Sequence, residues 1–178
     1  MNYEKSCGAV IYTVANEKRL YLVEIMQKGH TSFCKGHVEE NESEHQTAAR
    51  EIREETGLEV KFVEGFRQTV EYSPDTDCLK TVVFFLADAD STNVTIQEEE
   101  VREIEWLPYE EALTKLTFDS LREVTGGELF KRRLRQVRGV SAPAVCCRRA
   151  CQSKTAGGRP QHAVGRPRKR MGDAPRTV

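Results

Sequence analysis

The sequence contains no run of about 18 apolar residues, the length that a membrane-spanning helix requires. Residues 1–5 lack the apolar core of a secretory signal, so we expect a cytoplasmic protein with no membrane partner. The six cysteines are scattered and match neither a disulfide framework nor paired zinc-binding CxxC motifs. Reduced thiols are therefore expected. No internal repeat is present, which excludes a repeat architecture.

The formal net charge of -1 averages two very different segments. Residues 1–130 hold 13 Lys and Arg against 27 Asp and Glu, whereas residues 131–178 hold 14 basic residues and a single acid, Asp173. Beyond about residue 137 the composition shifts to Arg, Ala, Gly, Pro and Cys without a helical or strand period. The sequence predicts a folded domain over residues 1–137 and a disordered basic tail over residues 138–178.

Two explanations of the tail stay open. Its run RPRKR, residues 166–170, is a basic patch of the kind that neutralises phosphates, which suggests a nucleic-acid-binding arm. The alternative is an accidental extension from a shifted reading frame, which explains the abrupt change in composition and is preferred.

The hydrophobic pattern predicts strands and helices that do not alternate as regular βαβ units, which favours an α+β sandwich. The predicted strands are residues 6–14, 20–27, 60–72, 79–88 and 102–107, with a bulge at Gly65 and a loop at 29–34. Ser43 and Gln46 form a capping box and Gly57 suits a left-handed C-cap, so residues 43–56 are predicted as a helix. Two further helices are predicted over 108–115 and 119–135.

Three glutamates on the first helix are the most informative feature. Glu51, Glu54 and Glu55 have i, i+3, i+4 spacing, which places three mutually repelling carboxylates on one face. Oxygen ligands on a rigid helix suit Mg²⁺, which neutralises phosphate charge and activates water. A generic cluster of this kind is more often only a solvated helix face, so the surrounding pattern decides between the two readings.

That pattern resembles the Nudix box. The box has a Gly, then a Glu after five intervening residues, and after seven more the run Arg-Glu-apolar-any-Glu-Glu-any-Gly-apolar. Nine such positions arise by chance about once in 10⁸ such chains. The matching residues are Gly36, Glu42, Arg50, Glu51, Ile52, Glu54, Glu55, Gly57 and Leu58. The resemblance implies a Nudix-type α/β/α sandwich with a mixed β-sheet, in which the box glutamates bind metal.

The resemblance also implies residue roles. Glu51 and Glu55 look like the main ligands of Mg²⁺, with Mn²⁺ able to replace it, and Glu54 like a further ligand or the base that activates water. The carbonyl of Lys35 is a candidate ligand, and Arg50, Glu42 and Gly36 are expected to orient or accommodate the ligands. Glu100, before the strand with Trp106, is a candidate remote ligand or general base; the alternative is an ordinary exposed acidic loop.

Over about residues 3–131 the chain is similar to the diadenosine tetraphosphate hydrolase branch of the family. That similarity implies that Lys35, His37 and Lys80 contact a polyphosphate, and that Tyr72 and Phe118 hold adenine. Two of these residues have alternative structural roles. Phe118 could instead pack in the core, and His37 could instead hydrogen-bond its own backbone. Cys34 replaces a common Pro, from which we expect a looser loop and sensitivity to oxidation.

The expected function is Mg²⁺-dependent hydrolysis of a dinucleoside polyphosphate, giving ATP and AMP from diadenosine tetraphosphate. A pyrophosphohydrolase of nucleoside triphosphates or of RNA 5′ ends is the second candidate. A nucleotide-sensing module without turnover is the third, and the presence of all three box glutamates argues against it.

Overall fold

The computed structural model describes residues 2–137, except for the side chain of Asp75. The predicted disordered tail and its basic run therefore lie outside the described residues. No helix among the described residues is long and apolar enough to cross a membrane. The strands of the described part are β1 (Asn2–Ala15), β2 (Lys18–Met26), β3 (Thr31–Ser32), β4 (Lys35–His37), β5 (Val60–Asp75), β6 (Cys78–Ala89) and β7 (Val101–Leu107); its helices are α1 (Glu44–Thr56), α2 (Tyr109–Lys115), α3 (Asp119–Gly126) and α4 (Glu128–Gln136).

The strands form one mixed sheet in the order β3-β2-β1-β6-β5, with β4 paired to β1 and β7 paired to β2. Strand β1 runs parallel to β6, and the other pairs are antiparallel. Strands β1 and β2 form a hairpin whose two turn residues, Asn16 and Glu17, have φ of 50° and 61°. Positive φ at both positions matches the right-handed twist of the strands.

Helices cover both faces of the sheet. The face toward α1 buries Ala48 and Ile52 of that helix against alternate strand residues such as Ile11. The opposite face buries side chains of α2, α3 and α4, including Phe130, against residues such as Tyr12. Because successive strand residues point to opposite faces, the central strands read as continuous apolar runs. The predicted α+β sandwich with a mixed sheet is confirmed.

The boundaries predicted for α1 are confirmed by its caps. The Ser43 hydroxyl accepts a hydrogen bond from the Gln46 backbone N–H at 3.3 Å, and the Gln46 side chain accepts one from the Ser43 N–H at 2.9 Å. Gly57 has φ of 70° and its N–H donates to the Arg53 carbonyl. These contacts fix both ends of the helix that carries the three glutamates.

The C-terminal part differs from the prediction, because the helix expected over residues 119–135 is two helices. The chain is extended at Gly127, with φ of -69° and ψ of 155°, between α3 and α4. Two consecutive glycines, Gly126 and Gly127, weaken a helix by about 1 kcal/mol each relative to Ala. The break lets α4 turn and bury Phe130, which is 1% exposed.

The loop predicted over residues 29–34 is also partly wrong, because it contains the short strand β3. The looser loop expected from Cys34 stays a prediction, and the structure shows how this residue is held. Its side chain is fully buried, its carbonyl accepts a hydrogen bond from the Ala9 N–H at 3.1 Å, and β4 begins at the next residue. Burial also raises the pKa of the Cys34 thiol, which opposes the predicted sensitivity to oxidation.

Candidate active site

Helix α1 presents its three box glutamates with graded exposure. Glu55 faces the sheet and is 1% exposed, the Glu51 side chain is 13% exposed, and the Glu54 side chain is 50% exposed. The three residues lie within about one turn but at different angles around the helix axis, so one faces the core and the others lie progressively nearer to solvent. The three carboxylates therefore run from the protein interior to its surface.

Arg50 connects these carboxylates to the segment that precedes the helix. Its guanidinium donates to both oxygens of Glu42, at 2.7 and 3.0 Å, and to Glu51 at 2.8 Å and Glu54 at 2.9 Å. It also donates to the backbone carbonyl of His37 at 2.9 Å. The hydrogen bonds from Arg50, foremost among several, lower the pKa of Glu42 to about 2. Arg50 thus fixes the box glutamates relative to the loop that carries His37.

The two less exposed carboxylates are perturbed in the opposite direction. Burial raises the pKa of Glu55 to about 7, although its Oε2 accepts a hydrogen bond from the Lys35 backbone N–H at 3.2 Å. Burial also raises the pKa of Glu51, and the negative charges of Glu54 and Glu100 add to this effect. Charged carboxylates at these positions are therefore disfavoured unless a cation accompanies them.

Gly36 lies directly against the Glu51 carboxylate. A Cβ atom on Gly36 would lie 2.0 Å from Glu51 Oε2, far closer than van der Waals contact allows. Strand β4, which pairs Gly36 with Cys7 of β1, therefore reaches the box helix only because this residue has no side chain. The predicted accommodating role of Gly36 has this geometric basis.

A cavity of about 770 Å³ is lined by Gly36 and by all five predicted substrate-binding residues. The aromatic residues Tyr72 and Phe118 are 42% and 51% exposed, so Phe118 does not lie in the core. The predicted residues that line the cavity are Lys35, Gly36, His37, Tyr72, Lys80, Glu100 and Phe118.

Two of the lining residues, His37 and Lys80, share an acid that the sequence did not single out. His37 Nε2 lies 3.1 Å from Lys80 Nζ and 3.4 Å from Glu4 Oε2, and Lys80 Nζ lies 3.5 Å from the same Glu4 oxygen. Contacts with His37 first, and with Lys80, lower the pKa of Glu4. The pairing follows from the register, because Glu4 of β1 is opposite Lys80 of β6 and Lys80 is opposite Tyr72 of β5.

Glu100 precedes β7 and lines the same cavity. Its backbone carbonyl accepts a hydrogen bond from the Gln27 N–H at 2.9 Å, which ties the acidic turn to the end of β2. The structure thus places Glu100 at the cavity that Gly36 also lines, near enough to Glu51 for its charge to act on that carboxylate; its role as a remote acid stays a prediction.

Glu24 escaped the sequence prediction, and Cys34 was considered there only as a replacement for Pro. Glu24 of β2 and Cys34 are buried beside Glu55, and one ligand atom from each of the three residues lies within 4.8 Å of the others. The available signal was a single acid within the apolar strand sequence LYLVEIM. Such an acid is rarely buried without a partner, but the partner is distant in sequence.

A divalent cation fits this set of donors. Carboxylate oxygens are the ligands that hard cations prefer, and Glu51, Glu54 and Glu55 provide them from one rigid helix. Positive charge at this position would also offset the burial that raises the pKa of Glu51 and Glu55.

The sequence profile of the NUDIX domain matches residues 5–125. The chain belongs to this family, whose members use divalent metals, and it is a hydrolase acting on acid anhydrides. The asymmetrical bis(5'-nucleosyl)-tetraphosphatase of Mus musculus is 38% identical over 136 residues, which is 66% of this chain and 88% of that protein. The Sus scrofa protein of the same name is 31% identical over 132 residues.

One further relative and one solved structure are also similar to this chain. The NAD-capped RNA hydrolase NudC of Haemophilus influenzae (strain PittEE) is 31% identical over 122 residues, which is 64% of this chain and 44% of that protein. The fold is similar to that of a C. elegans Ap4A hydrolase binary complex, with a TM-score of 0.68 and 24% identity over 75% of this chain and 99% of the other.

Proposed function

We propose that this chain hydrolyses dinucleoside polyphosphates in the presence of Mg²⁺, and that it cleaves diadenosine tetraphosphate asymmetrically to ATP and AMP. The observation that carries the proposal is the cavity of about 770 Å³, in which Lys35, Lys80 and half-exposed aromatic rings line the same space as Gly36, the residue that lies against the Glu51 carboxylate of the box helix. A substrate with two bases and a polyphosphate needs aromatic rings for the bases, positively charged side chains for the phosphates, and metal-binding carboxylates for the reaction. The relatives named as asymmetrical tetraphosphatases support the same substrate class.

In this proposal the box glutamates hold the metal. Glu51 and Glu55 are the main ligands, with Glu54 and the Lys35 carbonyl as further candidates. Bound Mg²⁺, or Mn²⁺ in its place, supplies positive charge for the phosphates and a more acidic water. Arg50 and Glu42 keep the carboxylates in place through their hydrogen bonds.

Proton removal from the attacking water requires a base that is ionised and accessible. Glu54 meets the second requirement, because half of its side chain is exposed. Glu100 is the other candidate, since it lines the cavity and its charge acts on Glu51. We assign the base to this pair, and comparing Glu54→Gln with Glu100→Gln at saturating Mg²⁺ distinguishes them, because loss of the base lowers kcat more than KM.

The phosphates and bases would be held by the remaining cavity residues. Lys35, His37 and Lys80 provide positive charge in an otherwise acidic domain. Tyr72 and Phe118 offer ring faces on which an adenine can stack, and stacking of this kind contributes about 1–3 kcal/mol per base.

A matched pair of tyrosines tests the base-binding role. Tyr72→Ala should raise KM for diadenosine tetraphosphate by about 5- to 100-fold, the equivalent of the stacking energy. Tyr3→Ala is the control, because Tyr3 is 75% exposed and does not line the cavity. Equal KM values for the two variants would contradict a stacking role of Tyr72.

The relationship to NudC favours one other substrate class, the 5′ ends of RNA and the related nucleoside triphosphates. Chromatographic product analysis with Mg²⁺ on diadenosine tetraphosphate, dGTP and 5′-triphosphate RNA separates the candidates. We expect ATP and AMP as products and a preference for the first substrate. Equal turnover of all three, or preferred turnover of RNA, would overturn the substrate assignment, and binding without turnover would indicate a sensor.

A further inference from the structure

Beneath the box helix, Glu24, Cys34 and Glu55 form a buried group that the proposed reaction does not explain. Glu24 and Glu55 are each 1% exposed and Cys34 is fully buried. Their ligand atoms, two carboxylate oxygens and one sulfur, lie within 4.8 Å of one another. Three groups that can each carry negative charge thus share one apolar environment.

Each member of the group comes from a different part of the fold. Glu24 is in β2, where it is opposite Ser32 of β3 and Ile104 of β7, so it belongs to the interior of the sheet. Cys34 immediately precedes β4, and Glu55 lies in the last turn of α1. Glu24 sits on a paired strand, Glu55 on a capped helix, and the Cys34 carbonyl is hydrogen-bonded to Ala9 of β1, so their ligand atoms are held together before anything binds.

Glu24 provides an independent sign that this group accepts a ligand. Its Oε1 atom is buried and has no hydrogen-bond partner among the described residues. A buried polar atom without a partner destabilises the fold, so an unsatisfied oxygen of this kind calls for a binding partner. A buried, unsatisfied carboxylate beside a thiol and a second carboxylate is a binding group for a cation.

We propose that Glu24, Cys34 and Glu55 bind a divalent transition metal of the zinc class. The sulfur determines the class, because thiolates select zinc-like ions whereas Mg²⁺ is bound by oxygen alone. Three protein ligands with one open position are a common arrangement for Zn²⁺. On binding, a sulfur–metal bond replaces the Cys34 S–H bond and the proton passes to solvent.

This site shares one residue with the proposed function, because Glu55 is also a proposed ligand of Mg²⁺. A zinc-class ion bound through Glu24 and Cys34 would engage the Glu55 carboxylate from the sheet side. Zn²⁺ is therefore expected to inhibit Mg²⁺-dependent turnover, and Glu24→Gln should require about ten times more Zn²⁺ for the same inhibition, since loss of a charged ligand weakens metal binding.

The direct test uses Cd²⁺ as a spectroscopic probe, without Mg²⁺ or nucleotide. A bond between thiolate and Cd²⁺ produces ultraviolet charge-transfer absorption, which reports on the metal site and not on catalysis. The tail also contains thiols, so the full chain is used with Cys146→Ser, Cys147→Ser and Cys151→Ser as the common background. In this background we expect one equivalent of Cd²⁺ to produce the band.

Three single substitutions complete the experiment. Cys34→Ala should abolish the band, and Glu24→Gln should keep it but weaken Cd²⁺ binding about ten-fold or more. Cys7→Ala is the matched control, because Cys7 is equally buried on the same face of the sheet but is not part of the group, and it should leave the titration unchanged. Circular dichroism and thermal unfolding establish that each variant is folded.

These outcomes test the zinc-class site separately from the proposed hydrolase function. Absence of the band in the background protein, its persistence in folded Cys34→Ala, or unchanged affinity in folded Glu24→Gln would overturn the proposal. A band without Mg²⁺-dependent turnover would refute the proposed function and leave the site standing. Mg²⁺-dependent turnover without a band would refute the zinc-class site and leave the proposed function standing.

Discussion

The close contact between Gly36 and the Glu51 carboxylate allows a quantitative prediction for Gly36→Ala. A Cβ atom at this position would lie 2.0 Å from the carboxylate carbon and from Oε2, whereas ordinary contact begins near 3.4 Å. The Glu51 carboxylate must therefore move by about 1.4 Å, a displacement of the size that lowers catalytic rates about a hundred-fold. The same movement would disturb the 2.8 Å hydrogen bond from Arg50.

We expect kcat/KM for diadenosine tetraphosphate with Mg²⁺ to fall about a hundred-fold in Gly36→Ala. The free energy of unfolding should fall by about 1–3 kcal/mol, the usual cost of overpacking. Steady-state kinetics and denaturant titration measure the two effects. Gly126→Ala is the matched control, because a Cβ at Gly126 meets no described atom within 4 Å, and it should retain full activity.

A double-mutant cycle tests whether the effect acts through Glu51. In a Glu51→Ala background the carboxylate is absent, so adding Gly36→Ala should cost little further stability. The two substitutions should therefore be coupled by about 1 kcal/mol or more. Additive losses of stability, or a single variant Gly36→Ala with near wild-type kcat/KM, would refute the steric argument.

Three other perturbations have definite expected outcomes. Glu55→Gln should abolish Mg²⁺-dependent turnover while circular dichroism shows an intact fold, and a variant with near wild-type rate would contradict the metal assignment. Glu44, bound by Arg67 and Lys5, has its pKa lowered to about 2, so its contribution to stability is present above the ordinary value of 4.5 and is lost as pH falls toward 2. Glu44→Gln should therefore lower the free energy of unfolding by about 1 kcal/mol at pH 7 but not at pH 2, and an equal loss at both values would exclude this linkage. Removal of residues 138–178 should preserve turnover and solubility, whereas loss of RNA binding would support the nucleic-acid arm instead.

The elements that the sequence predicted well are those whose ends depend on local chemistry. Helix α1 begins after Ser43 and ends before Gly57 because the capping groups are within four residues of the ends they stabilise. The bulge at Gly65 is likewise local: its φ is 71°, and the register of β5 and β6 shifts between Phe62 and Arg67. The parallel pairing of β1 with β6 joins segments about 75 residues apart, and no local pattern encodes it.

The site shows the same division between local and distant information. The box spacing identified Glu51, Glu54 and Glu55 because one helix carries them all. Glu24 was missed because its importance depends on a neighbour 31 residues away across the layer between sheet and helix. Glu4 was missed for the same reason, since it reaches the cavity cations only through the register of β1 and β6.

Arg50 resolves the apparent conflict between the charge of the box and the stability of its helix. Three carboxylates over one turn repel one another, yet two of them, Glu51 and Glu54, each accept a hydrogen bond from this guanidinium within 3 Å. Glu55 receives none from Arg50, and it is the carboxylate whose pKa rises to about 7. The positive charge of Arg50 thus lies on the solvent side of the box, and Glu55, the buried carboxylate that Arg50 does not contact, lies at the sheet. A cation that binds the box gains most at Glu55, and the substitution of this residue should therefore affect metal binding more than that of Glu54.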